Sequence, residues 1–402
     1  MRVLLSTIGS RGDVQPLVAL ASQLRALGQE VHFCAPPDFR DWIDSLGFSV
    51  TPIGPELRRM TAVGPSAPPS PDRLRRLGEA SVAAQFETVA QAAQGCGLIV
   101  AATALQIAAR SLAEARGIPY IFAAYCPAVL PSPRHAPPPM PLQSPVPASA
   151  DNRELWARDA ERFNASFGAA LNTHRASFGL AKVDDVRSHV FTEHPWLAAD
   201  PTLAPWPDPE GWTVFQPGAW IVSDEDALSP ELETFLEAGE APLYFGFGSM
   251  RGLKDLSQVM IQAARALGRR AIVFRGWADL ALIDEERDCL AIGEVNHQAL
   301  FQRVAAVVHH GGAGTTMTAA LAGAPHVVIP QSYDQHYWAQ RIEHLGIGTA
   351  HAPGAPTAAS LTSALEEALR PEVAARAGSV ATAVRRDGAQ LAAERLLSIV
   401  GQ

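Results

Sequence analysis

Short apolar runs alternate along this chain with stretches in which apolar residues recur every three or four positions, and the alternation covers most of its length. Residues 3–7 form an apolar run of strand length, and over residues 15–27 Leu17, Leu20, Ala21, Leu24 and Leu27 fall on one helical face. Gly28 stands where a helix-ending glycine belongs, and residues 31–35 read as the next strand. The pattern then predicts helix over 38–46, strand over 49–53, helix over 74–94, strand at 98–101, helix over 104–115 and strand at 120–124. A second series opens at 243–247, with strands near 271–274, 290–292, 306–309 and 326–329. Helices fall between these strands and over 334–344, and the tail from about 361 to 400 reads as helical throughout.

Repeated strand–helix units predict a parallel sheet covered on both faces. Two such series predict an α/β architecture of two doubly wound domains facing each other. Ligands then bind in the shared crevice beyond the strand C-termini. The rhythm breaks at 64–71 and 127–147, both rich in proline, which suits neither a central strand nor a helix interior. These are either plain surface loops or binding loops over a cleft. Residues 201–217 approach an interdomain connection, and the acidic stretch 224–240 reads as a solvated helix and linker.

Composition narrows the class. A chain of 402 residues, 48 % apolar and 18 % charged, has room for about two globular cores. A net charge of −9 without a basic block argues against a nucleic-acid partner. No apolar run reaches the roughly 18 residues of a membrane span, and the first residues are too few for a signal peptide. Cys34, Cys96, Cys126 and Cys289 lie scattered, as buried thiols do, without disulfide or zinc spacing. The expected location is cytoplasmic.

The most informative motif is His309-His310-Gly311-Gly312-Ala313-Gly314-Thr315-Thr316, between a strand and a helix start. Glycines let backbone approach a ligand, and the first amides of a helix are unpaired at its positive end. That arrangement binds phosphate oxygens. A histidine adds a donor that can be cationic, and two threonine hydroxyls can add more. The chemistry is that of holding a diphosphate, including one that is leaving.

Other turns fall at strand ends. Gly9-Ser10-Arg11-Gly12-Asp13 follows the first strand but lacks the full Gly-x-Gly-x-x-Gly pattern and the acidic residue roughly 20 positions later, which disfavours a nicotinamide or flavin enzyme. Asp13 reads either as a helix cap or as a carboxylate facing the crevice, able to take a proton from a substrate hydroxyl. Arg11 either serves an anion or pairs with Asp13. Gly246-Phe247-Gly248-Ser249-Met250 suits phosphate contact, and Arg275-Gly276-Trp277 offers an aromatic at a strand end. Asp334 and Gln335, after another strand, either cap a helix or match the vicinal hydroxyls of a sugar. Asp224 and Asp226 have a metal–diphosphate spacing but sit in an acidic connector, and read as solvated charges.

Taken together and in this order, the turns resemble those of two-Rossmann-domain (GT-B) antibiotic glycosyltransferases, family 1-type enzymes of the vancomycin and macrolide kind. The likeness is densest at residues 1–21 and 274–348. It implies an acceptor domain over 1–217, a nucleotide-sugar domain over 218–384, and a last helix over 385–402 that returns to the first domain. It implies that His310, Gly312, Ala313, Gly314 and Thr315 hold the donor pyrophosphate, with Ser249, Arg275, Arg11 and Gly12 nearby. Trp277 and Val295 would frame a uridine or thymidine base, and Asp334 and Gln335 would bind the sugar. Ser10, Tyr125 and Met140 would face the acceptor. Many relatives carry a histidine base in the first turn; this chain has Ser10-Arg11-Gly12-Asp13, as in the vancomycin-type branch, which makes Asp13 the base and His310 its catalytic counterpart on the leaving group.

The implied reaction is inverting displacement of a nucleoside diphosphate (UDP or dTDP) by a hydroxyl of a partly hydrophobic natural-product aglycone, with no cofactor and no metal, by a monomer or homodimer. A nucleotide-sugar epimerase of the same architecture, or a catalytically silent nucleotide-sugar-binding partner protein, are the rival readings.

Overall fold

The computed structural model describes residues 1–58, 70–139, 151–208, 211–248, 255–277, 280–352 and 354–401. Its strands are β1 (Arg2–Thr7), β2 (Glu30–Ala35), β3 (Ser49–Pro52), β4 (Leu98–Ala102), β5 (Tyr120–Ala124), β6 (Trp196–Leu197), β7 (Leu243–Gly246), β8 (Ala271–Phe274), β9 (Cys289–Ile292), β10 (Ala306–His309), β11 (His326–Val328) and β12 (Gly348–Ala350). They form two six-stranded sheets, β3-β2-β1-β4-β5-β6 and β12-β11-β10-β7-β8-β9. Every pair is parallel. Counted within its own lobe, each sheet has the doubly wound order 3-2-1-4-5-6, so one topology occurs twice. The strands are short and buried on both faces, as in Val3, Leu4 and Leu5 or Ala306, Val307 and Val308, because helices cover each side.

Four elements depart from the pattern-based expectation for local reasons. The first helix, Arg11–Ala26, begins before residue 15 and contains Pro16, since Ser10 and Asp13 cap an entry that reads as a plain glycine turn. The helix expected at 104–115 is shortened to Ala109–Arg116, because Thr103 adopts φ 76° and the buried Ser6 hydroxyl donates to Gln106 at 2.8 Å. The tail is three helices, Ala358–Ala368, Pro371–Ala381 and Gly388–Val400, broken where Pro371 starts a new one and again before Gly388. The acidic stretch carries the helix Pro230–Glu237, which is not wholly solvated: Leu232 and Leu236 are buried beneath it. Helices over Asn152–Phe163, Ala169–Ser177 and Val186–Phe191, together with the brief β6 and β12, complete the lobes.

One apolar cluster spans both lobes, joining Phe122, Leu130 and Phe191 to Met317, Trp338 and Val380. A second joins Leu17, Leu20 and Leu24 of the first helix to Ala392, Ala393 and Leu396 of the last. The last helix therefore packs back on the first lobe. Its start touches the chain entering the second lobe: a Cβ on Gly388 would lie 2.5 Å from the Gly218 carbonyl carbon. All four cysteines are buried and unpaired, and no described helix is long and apolar enough to cross a membrane.

Candidate active site

A doubly wound sheet opens its crevice where strand order reverses. In the second sheet the reversal lies between β7 and β10, where the turn after His309 meets the Gly246–Phe247–Gly248 segment. Gly311 has φ 90°, and a Cβ there would stand 2.8 Å from Val328 Cγ1 and 3.0 Å from the Gln335 carbonyl oxygen. Only glycine fits. Gly312 precedes the helix Ala313–Ala322 and lends it no side-chain cap, so the helix presents its first amides uncapped to the crevice.

His310 is half-buried between the two glycine segments: a Cβ on Gly312 would lie 2.5 Å from its Nε2, and one on Gly248 would lie 3.3 Å from its Cε1. Its Nδ1 has no partner among the described residues. Burial pulls its pKa down to about 4, so the imidazole is neutral at pH 7 and carries one N–H with which to donate. Beneath it the Gly311 N–H donates to His309 Nδ1 at 3.1 Å, which leaves the His309 proton on Nε2, and Nε2 faces His326 Nδ1 at 3.1 Å. Both rings are fully buried. Of the two threonines, Thr315 lines the crevice, whereas Thr316 is buried and bonds back to the Gly312 carbonyl at 2.9 Å.

The first lobe supplies Asp13. Its carboxylate accepts from the Ser10 N–H at 2.7 Å and the Ser10 hydroxyl at 3.3 Å, closing a capping box in which it is the third helical residue and not the cap. A Cβ on Gly9 would overlap this carboxylate. The Tyr125 hydroxyl donates to the Asp13 carbonyl oxygen at 3.0 Å. Burial raises the Asp13 pKa to about 6, against the two Ser10 hydrogen bonds that favour the ionised form. Across the crevice Asp334 is shielded from water as well: burial first, then the Asp13 charge, raises its pKa to about 7. Asp334 stands at the cap position of the helix Gln335–Leu345 but does not cap it; its carboxylate accepts from Trp338 Nε1 at 3.2 Å. Gln335 turns its side-chain oxygen to the N–H groups of Gln331 (2.8 Å) and Ser332 (3.2 Å), which shapes the turn.

These groups line one cleft of about 430 Å³ between the lobes, with Ser10, Arg11, Gly12, Asp13 and Tyr125 from the first and Trp277, Val295, His310, Gly312, Ala313, Gly314, Thr315, Asp334 and Gln335 from the second. Arg275 is exposed and outside the lining. Ser249 and Met140 lie outside the described residues. Arg11 does not pair with Asp13: its guanidinium faces Glu294 of the second lobe at 3.4 Å and covers the Trp42 ring at 4.4 Å. Trp277 reaches the other way, stacked on Phe39 of the first lobe with centroids 6.1 Å apart and planes at 14°. Asp226 is exposed as expected, but Asp224 borders the cleft, and their backbone carbonyls each accept from Asn296 Nδ2 at 2.9 Å. Among the described residues no group of three or more His, Cys, Asp or Glu side chains could hold a metal ion.

Sequence reasoning missed Tyr244, His297 and Tyr333, which also line the cleft. The Tyr244 hydroxyl meets His297 Nε2 at 2.8 Å, and burial holds His297 near pKa 4. No motif spacing marks the pair; its only signal is that His297 follows Val295 closely in a turn after β9.

The comparisons with known proteins agree with this geometry. Residues 3–132 match the glycosyltransferase family 28 N-terminal domain, and residues 287–391 match the erythromycin biosynthesis protein CIII-like C-terminal domain. Over its whole length the chain is 50 % identical to glycosyltransferase GtfE of Amycolatopsis orientalis and 47 % identical to the vancomycin aglycone glucosyltransferase of that organism, covering 98 % of each. It is 42 % identical to a dTDP-epi-vancosaminyltransferase of the same source, over 94 % of this chain and 93 % of the relative. Among solved structures, the kitacinnamycin glycosyltransferase superposes with a TM-score of 0.74 at 20 % identity, covering 99 % of this chain and 98 % of that one. VinC in complex with dTDP gives 0.68 at 19 % identity over 100 % of both. A cleft built from two Rossmann-like lobes and full-length kinship of this degree lead to one assignment: the chain belongs to the vancomycin-type glycosyltransferases of antibiotic biosynthesis, enzymes of the GT-B fold.

Proposed function

We propose that this glycosyltransferase moves a sugar, with inversion, from a dTDP- or UDP-sugar to a hydroxyl of a partly hydrophobic aglycone, with Asp13 as general base. One observation carries the reading: Asp13 of the first lobe and the His310–Gly312–Thr315 turn of the second line a single cleft. An acceptor hydroxyl beside Asp13 attacks the anomeric carbon from the side opposite the diphosphate and gives its proton to the carboxylate as the new bond forms. A carboxylate raised to about 6 is a better base than an exposed one and is still ionised at pH 7. The diphosphate takes up the negative charge of the breaking bond, facing His310 and the amides of Ala313, Gly314 and Thr315. Preorganised donors of this kind are typically worth about 3 kcal/mol each. No step is routed through a metal or cofactor.

The names of the relatives support the substrate classes: one is named for the vancomycin aglycone, another for a dTDP-sugar. The three relatives cited above are all named as transferases, which leaves the epimerase and silent-partner readings without support. Tyr125, at the base of the proline-rich segment and beside Asp13, supports an acceptor site in the first lobe. Four unpaired cysteines fit a reducing, cytoplasmic location.

The test is product analysis. dTDP-glucose and UDP-glucose are offered with a glycopeptide aglycone, products are weighed by mass spectrometry, and the anomeric configuration is read by NMR. A β-linked glucoside from an α-linked donor supports the proposal. An α-linked product, or loss of donor without any glycoside, overturns it.

A further inference from the structure

Tyr333 is a bulky residue in a left-handed backbone conformation, φ 55°, at the edge of the cleft. Side chains of this shape seldom occupy that region, and such strain persists only where the surroundings over-determine it. Here they do. On one side Gln335 holds the N–H groups of Gln331 and Ser332; on the other, Trp338 holds Asp334 through its carboxylate and its carbonyl oxygen. Hydrogen bonds therefore hold the backbone on both sides of Tyr333.

Tyr333 lines the cleft beside Asp334 and feels charges from both lobes. Tyr333 belongs to the donor lobe, yet Cys126, Asp159 and Asp13 of the first lobe all act on its hydroxyl electrostatically, along with Asp334. Cys126 opens the 3₁₀ turn Pro127–Val129 at the root of the long proline-rich segment. Asp159 is already paired with Arg162 and Arg187. Burial and these carboxylates push the phenol above its ordinary range, so it stays a neutral donor at every working pH. Among the described residues nothing hydrogen-bonds that hydroxyl.

We propose that Tyr333 reads the acceptor: its hydroxyl hydrogen-bonds a polar group of the aglycone next to the hydroxyl that Asp13 addresses, so the donor lobe takes part in acceptor selection. The inference rests on the function proposed above and adds a contact to it.

Tyr333→Phe removes only the oxygen. Steady-state kinetics with dTDP-glucose and a glycopeptide aglycone should show the acceptor KM raised about 10-fold, the worth of one neutral hydrogen bond. The donor KM, and any hydrolysis of donor in the absence of acceptor, should not change. Tyr333→Gly, which suits the left-handed backbone, should raise the acceptor KM at least as far while the melting temperature holds or rises. An unchanged acceptor KM in Tyr333→Phe overturns the inference, as does an effect on donor KM or hydrolysis, which would assign the hydroxyl to the sugar. Failure of the parent protein to form any glycoside counts against the proposed function instead.

Discussion

His309 and His326 stack their protons in one direction beneath the glycine turn, Nε2 of the first facing Nδ1 of the second at 3.1 Å. Because His309 Nδ1 accepts from Gly311, its proton must point to His326, whose own Nε2 has no partner among the described residues. The pair fixes one amide of the turn that carries His310, and does so from inside the sheet.

His309→Asn retains a side-chain oxygen to accept from Gly311; His309→Leu retains none and leaves that buried N–H unpaired. Such an orphan costs about 1–3 kcal/mol, part of it as misplacement of the turn. The leucine variant should therefore raise the donor KM about 10-fold or more, and the asparagine variant should recover most of the loss, with acceptor KM unaffected in both. Equal donor KM values across parent and variants would remove the positioning role.

Asp13 gives a prediction that joins stability to activity. Its folded pKa, about 6, lies above the ordinary carboxylate value of 3.8, so the folded state binds the proton more tightly and ionisation works against folding. The penalty is absent below about pH 4 and complete above about pH 6, and two units correspond to about 3 kcal/mol. Asp13→Asn keeps an acceptor for the Ser10 N–H but carries no charge. It should melt higher than the parent at pH 8, match it near pH 4, and turn over at least about 100-fold more slowly. A lower melting temperature at pH 8 would contradict the burial argument.

Turnover should also show an acidic limb. Asp13 near 6 and Asp334 near 7 feel one another, so they titrate as a pair whose apparent values belong to both. The initial rate should fall as pH drops from about 8 to 5. A rate flat across that window would move the base away from Asp13.

Gly9 faces Asp13 so closely that any side chain displaces the carboxylate. Gly9→Ala should fold with a lowered melting temperature, since φ 151° strains any side chain while the contact itself is with side-chain atoms, and should lose turnover about as fully as Asp13→Asn. Unimpaired kcat in Gly9→Ala would show that the Asp13 geometry does not matter.

Much of this was legible in the chain. The strands over residues 120–124, 271–274 and 306–309 could be read residue for residue, because runs buried on both faces are almost continuously apolar and are followed within two or three residues by glycine or proline. The glycine turn was legible because phosphate chemistry demands small residues in sequence order. What escaped was set by tertiary contact. Two-residue β6 is held by Phe215, whose carbonyl oxygen accepts from Leu197, and is too short to have a period. Arg11 offers a local partner in Asp13, and only the folded chain brings Glu294 to it. Thr316 looks like Thr315 in sequence, but helix phase turns one to the cleft and the other back to the Gly312 carbonyl. Tyr333 carries no sequence mark of its left-handed backbone.

The central claim is that the turn at Gly312–Thr315 grips a diphosphate. Diffraction from crystals grown with thymidine diphosphate tests it most directly. The account predicts phosphate oxygens within hydrogen-bonding distance of His310 and of the amides of Ala313, Gly314 and Thr315. A diphosphate ordered anywhere else in the cleft, with those amides bound only to water, would contradict it.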